Sequence, residues 1–194
     1  MLVNENDLGD VERRLWLEAK VNAEAGPTDF RNRLEDRGLQ TFFDYWCSLR
    51  ENHGAVKSAF EPLSVPSLLG HLQIFEVMDD ERLRVRLSGI HANDMIGRDV
   101  TGKYMEEYIE NDYVRLRYFL FNEARKRGLP LFYTDCVRVD HRDIFWSRRL
   151  LTPIYDSAGL CRYLYSAVKF YTPSDAQNNK GLIDIYLASI EDLR

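Results

Sequence analysis

The chain has 194 residues, 45% of them hydrophobic and 29% charged, with 31 acidic against 26 basic side chains and a net charge of −5. That length and apolar content can bury a core without disulfide staples. The acidic balance argues against surfaces for nucleic acid or anionic membrane, which need basic patches. No apolar run is long enough for a bilayer, and the N-terminal MLVNENDLGDVERR has neither the basic nor the apolar region of a secretory signal. Cys47, Cys136 and Cys161 form no C-x-x-C pair, so reduced thiols, a cytoplasmic location and no structural metal are expected.

In chain order, residues 8–25 place Leu8, Val11, Leu15 and Ala19 at helical spacing and stop at Gly26-Pro27. A second helix is predicted through GLQTFFDYWCSLRENHG. Its apolar face is Leu39, Phe42, Phe43, Trp46 and Leu49, and Gly54 is its C-cap. A link with Pro62 and Pro66 leads to two strands, HLQIFEVM and RLRVRLSG, separated by Asp79-Asp80-Glu81. Short helices follow in IHANDMIG and GKYMEEYI. A long helix then spans NDYVRLRYFLFNEARKRG and ends at Gly128 and Pro130. Three more strands are predicted in FYTDCVRVD, IFWSRRLLTPIY and CRYLYSAVKFY. Residues 174–181 read as a polar loop, and LIDIYLASIEDLR as a final amphipathic segment, expected to be helical. Two strands, a cluster of helices and three strands, with helices before and after, define an α+β fold on an antiparallel sheet.

Residues 97–104, GRDVTGKY, nearly spell the phosphate-binding loop G-x-x-x-x-G-K-[ST]. A working loop follows a buried strand, whereas HANDMI before this one reads as helix. Tyr104 also stands where the metal-binding hydroxyl belongs. The stretch is therefore expected to be a connector. Gly97 closes one helix in the left-handed conformation, Asp99 or Thr101 caps the next turn, and Gly102 allows another bend.

The element order, with RLRVRLSG followed by a short helix and IGRDVTGK, resembles the PAS domain, in particular that of short single-domain alphaproteobacterial proteins. The upstream Tyr45-Trp46 and Leu49-Arg50 and the proline-punctuated link agree with it. Ile90 departs from it, because a threonine is expected after Gly89. The resemblance spans 38–172 and leaves 1–37 as an N-terminal helical extension and 173–194 as a C-terminal loop and amphipathic segment. It implies a five-stranded antiparallel sheet with helices inserted after the second strand, and a sensory or regulatory role. No output domain is expected after residue 172.

Several residues invite a chemical reading. CRYLYS at 161–166 is superficially similar to the Asn-Cys-Arg-Phe-Leu-Gln element that binds flavin covalently in light-sensing PAS relatives. Here, however, the cysteine begins a strand and no Asn precedes it. Haem-binding relatives place a histidine on the long helix, and 112–127 contains none. Neither flavin nor haem is expected, although an unidentified small ligand is allowed. Of the four histidines only His91 lies in the helical region, and it reads as a surface or capping residue. Asp140-His141-Arg142-Asp143 reads as a hairpin turn rather than a catalytic cluster, so no catalytic residue is assigned.

Arg86, mid-strand and opposite in facing to Leu83, Val85 and Leu87, is expected to pair internally with Asp94 or Asp99. The alternative is that it receives a ligand's carboxylate or phosphate. With Tyr113, Leu116 and Leu120 of the long helix, and Trp146 and Tyr165 of the last strands, it forms the candidate ligand pocket between sheet and helix. Tyr113, Leu116 and Leu120 are read as facing the sheet, and Arg115, Asn122 and Lys126 as facing away. The stripe Leu8, Val11, Leu15 and Ala19 is the candidate homodimer interface, though packing within the chain would use the same residues. The functional expectation is a non-enzymatic PAS-like regulator acting through self-association or an unknown protein partner. A ligand-free adaptor is the alternative, and a small enzyme the third.

Overall fold

The computed structural model of the chain describes residues 3–51, 54–109, 111–138, 144–171 and 181–193. Helix α1 runs Asp10–Ala25, α2 Phe30–Arg33 and α3 Arg37–Ser48. A small hairpin pairs β1, Arg50–Glu51, with β2, Gly54–Ala55. Gly54 therefore sits in a strand, and the second helix ends six residues before the C-cap expected for it. Short 3-10 turns carry the chain to β3, Leu72–Val77, with Pro66 opening the last of them at Pro66–His71. There follow β4, Leu83–Ser88; α4, Ile90–Ile96; α5, Asn111–Arg127; β5, Leu131–Arg138; β6, Ile144–Tyr155; β7, Cys161–Tyr171; and β8, Gly181–Leu187.

The principal sheet has the order β4-β3-β7-β6-β5-β8, with every neighbouring pair antiparallel. Five of its strands are those predicted. The sixth, β8, lies in the segment expected to be helical. Ile183, Ile185 and Leu187 also fit period two, and the free edge of β5 supplies a hydrogen-bonding partner that a surface helix would leave exposed.

Helices cover both faces. On one face α3 buries Leu39, Phe42, Phe43 and Trp46 against Leu72, Phe132, Leu150, Ile154 and Tyr165. The Trp46 indole N–H donates to the Pro153 carbonyl at 3.0 Å. On the other face α5 meets the sheet, with Phe121 edge-on to Phe75 at 4.8 Å. The Tyr118 hydroxyl accepts from the Leu83 N–H and donates to Glu106. Helix α1 then packs on α5 and β8, where Trp16 meets Phe119 edge-on at 5.3 Å. Leu8, Trp16 and Ala19 belong to that core, and Leu15 packs against it. The N-terminal stripe is thus used within the chain, which corrects its reading as a dimer interface; of its residues only Val11 is exposed, at 55%.

The segments outside 38–172 are tied together by Asp192. Its carboxylate accepts from the Thr28 hydroxyl at 2.6 Å, the Thr28 N–H at 3.0 Å and the Ser189 N–H at 2.8 Å. Among the described residues no helix is long and apolar enough to cross a membrane.

Candidate functional site

The GRDVTGKY stretch is the connector expected of it. Gly97 caps α4 in the left-handed region (φ 81°) and Gly102 bends the chain at φ 83°. The Thr101 N–H donates to the Asp99 carboxylate at 2.9 Å. The stretch also closes the sheet: the Val85 N–H donates to the Lys103 carbonyl at 2.8 Å, and the Gly102 N–H to the Val85 carbonyl at 2.7 Å. The loop therefore occupies the open edge of β4, a structural task that leaves these amides unavailable to a phosphate. At Gly89, which opens α4, a Cβ would run into the carbonyls of Leu69 and Gly70, and Ile90 beside it is exposed.

The six candidate pocket residues do not form one site. Arg86 lies in a register shift of the β3–β4 pair: Ile74 faces Leu87 and Phe75 faces Val85, so Arg86 has no cross-strand partner. It is 57% exposed, with Glu76 at 3.9 Å, and Leu87 turns outward too. Internal pairing with Asp94 or Asp99 is corrected accordingly. Tyr165 is buried, but on the α3 side of the sheet against Phe60 at 4.6 Å. Trp146 is half-buried and pairs with Tyr171 across β6 and β7. Leu116 and Leu120 share the α5 core, and Tyr113 is half-buried. Asp140-His141-Arg142-Asp143 lies outside the described residues.

What the sheet and α5 do bring together is polar. Tyr133 and Asp135 of β5, Ser147 and Arg149 of β6, Ser166 of β7 and Gln73 of β3 share one sheet face through their register. Tyr133 pairs with Arg149, Asp135 with Ser147, and Gln73 with Ser166. Arg117 reaches this face from α5. Its Nη2 lies 3.2 Å from Asp135 Oδ2, with side-chain exposures of 6% and 1%, and the Ser147 hydroxyl donates to the other oxygen of Asp135. Arg149, also buried, donates through Nη1 to Gln73 Oε1 at 2.9 Å and to Ser166 Oγ at 2.6 Å, both neutral.

Burial pushes against both guanidinium charges here. It lowers the Arg149 pKa, with Arg117 adding to that, although a guanidinium so placed remains a cation. In Arg117 burial is outweighed by Asp135 and two phenols, so its pKa is raised. The Tyr133 and Tyr108 phenols are pushed up to about 12, chiefly by burial, and stay protonated donors. Five buried atoms of α5 and the sheet have no hydrogen-bond partner among the described residues: Arg117 Nε, Arg149 Nε, the Tyr133 hydroxyl and both amide atoms of Asn122. Asn122 is 1% exposed, correcting its reading as outward-facing.

Native interiors rarely leave such groups unpaired, and each unmet one costs about 1–3 kcal/mol. The polar cluster therefore carries hydrogen-bonding capacity that the described residues leave unmet. Away from the cluster, burial pushes the thiols of Cys47 and Cys161 up to about 11 and about 12, so neither is an activated nucleophile near neutral pH. No group of metal-ligating side chains occurs among the described residues.

The PAS domain family model matches residues 34–160, more than half of the chain, and the chain belongs to that family. Its fold is similar to a light-oxygen-voltage domain studied with a flavin analogue (TM-score 0.46, 10% identity, covering 57% of this chain and 83% of that one). It is also similar to the aureochrome 1 blue-light photoreceptor domain in its light state (0.42, 10%, 55% and 84%). A third likeness is to a sensory box histidine kinase/response regulator from Burkholderia thailandensis (0.36, 16%, 58% and 86%). No curated protein matches the chain. The fold is consistent with a sensory or regulatory role.

These likenesses correct the expectation that flavin is absent, because light-oxygen-voltage domains, one of them studied with a flavin analogue, are among the similar structures. The expectation rests on the lack of a match to Asn-Cys-Arg-Phe-Leu-Gln at 161–166, where Cys161 begins β7.

Proposed function

We propose that this chain is a non-enzymatic PAS regulator of the cytoplasm that binds a small ligand between the sheet and α5 and signals by self-association or through a protein partner. The observation that carries the reading is the set of buried, unpartnered polar atoms on Arg117, Arg149, Tyr133 and Asn122, beneath the helix that also supports α1. Ligand groups that satisfied them would stabilise the bound state by what those atoms lack in the empty one. Because α5 is buried all round from Leu116 to Asn122, a shift at Arg117 is passed to Phe119 and so to Trp16.

Native mass spectrometry of the purified chain, followed by denaturation and identification of anything released, tests this. A stoichiometric small molecule supports the reading. An exact apoprotein mass, with no compound from a broad metabolite panel raising the melting temperature, overturns it in favour of a ligand-free adaptor. That second reading has its own observation, the exposed Val11, Leu17 and Val21 on α1.

A further inference from the structure

Asp135 is the single buried carboxylate of the cluster among the described residues, and it is committed: Arg117 faces it and the Ser147 hydroxyl donates to it. Arg149 has only the neutral oxygens of Gln73 and Ser166. One positive charge is thus buried without a compensating negative one, a costly arrangement unless something supplies the countercharge. Apart from the Asn122 amide, which offers one donor and one acceptor atom, the unmet groups also have a direction. Arg149 Nε, Arg117 Nε and the Tyr133 hydroxyl are all donors on one electrostatically linked cluster, and Tyr133 is the cross-strand partner of Arg149. A set of unmet donors around an unpaired cation asks for an acceptor that carries negative charge.

We infer that the ligand is a small anion, a carboxylate or phosphate group seated against Arg149 and hydrogen-bonded by Tyr133 and Arg117. This rests on the reading of the cluster as a ligand site and names the chemical class it takes. Asp135 sets a limit on that class. Its carboxylate stands on the same face and repels an anion that crowds it, which favours a single charged group lodged on the Arg149 side.

The test uses the full chain and thermal melts at fixed ionic strength. Sodium acetate, sodium succinate and inorganic phosphate are the anionic probes, and acetamide is the neutral isostere. Saturable stabilisation by at least one anion and none by acetamide is expected. The same titration in Arg149→Met should give affinity at least tenfold weaker, and in Tyr133→Phe several-fold weaker. Tyr133→Phe removes only an unpartnered hydroxyl, so it keeps the test open if Arg149→Met does not fold. An anion that binds both variants as it binds the parent is seated elsewhere and overturns the assignment. Stabilisation by acetamide, or release of a neutral compound from the purified protein, with no response to the anions, overturns the anion class and leaves ligand binding standing. A melt moved by no probe, in a protein that releases nothing, overturns both.

Discussion

Replacing Arg117 by methionine keeps most of the apolar stem and removes the cation facing Asp135. The two charged groups are 3.2 Å apart and nearly inaccessible, at 6% and 1% exposure. At that distance and an effective dielectric of about 20, their attraction is about 5 kcal/mol. Much of this is offset in the parent by the cost of bringing both ions out of water. The variant does not recover that cost, because Asp135 stays buried with only the Ser147 hydroxyl donating to it. The expected loss is therefore that of a broken buried pair, about 3–5 kcal/mol. In a chain of this size that lowers the melting temperature by about 6–20 °C. Urea unfolding of parent and variant measures it directly, provided the slope against denaturant is unchanged. Replacing Asp135 by leucine in the same variant should return most of the loss. An Arg117→Met chain within about 1 kcal/mol of the parent would refute the reasoning, since Asp135 could then not be trapped as described.

Three further outcomes follow from the geometry. Arg86→Ala should change stability by less than about 1 kcal/mol in urea unfolding, because an exposed pair to Glu76 at 3.9 Å contributes little. Lys103→Ala should also cost less than about 1 kcal/mol and leave ATP binding undetectable by calorimetry, since the side chain is 57% exposed and faces Glu107 at 3.6 Å. Asp192→Asn should destabilise the parent at neutral pH, and the difference should shrink in acid. Burial works against the Asp192 carboxylate, but hydrogen bonds from Thr28 and Ser189 outweigh it and hold its pKa below the usual value. A carboxyl depressed on folding contributes stability above its unfolded pKa of about 3.9, and loses it as pH falls through the lower folded value. Melts of the two proteins from neutrality to about pH 3 check the sign.

The fold was largely legible because its strongest signals are local. Gly26-Pro27 and Gly128 punctuate helices where the sequence places stops, and β4 alternates as a half-buried strand should from Leu83 to Arg86. The failures are tertiary. Residues 182–187 satisfy period two as well as a helical stripe does, and only the open edge of β5 decides between them. The α1 stripe was right in part: Leu8 and Ala19 are buried and Leu15 packs on the same core, but Val11 is exposed, and it is Trp16, outside the stripe, that meets Phe119 of the same chain. At Arg86, strict alternation predicted opposite facings for it and Leu87. The register shift between Ile74 and Phe75 defeats that prediction, because a bulge changes the parity of every residue beyond it.

The site was harder to read because its residues are spread over four strands and a helix, and because the arginine that drew notice was the exposed one. A usable signal did exist in parity. In IFWSRRLLTPIY, Ser147, Arg149 and Leu151 fall on one face, and in LFYTDCVR so do Leu131, Tyr133 and Asp135. A leucine buried on each strand therefore carries a charged residue into the same face two or four places away. Asn122 and Arg117 were hidden by a different assumption, that polar positions on an amphipathic helix point to water. That assumption fails when a helix is sandwiched. Once α1 covers the side of α5 away from the sheet, as Trp16 does over Phe119, no face between Leu116 and Asn122 is left for solvent, and any polar residue there must find its partner inside the protein or in a ligand.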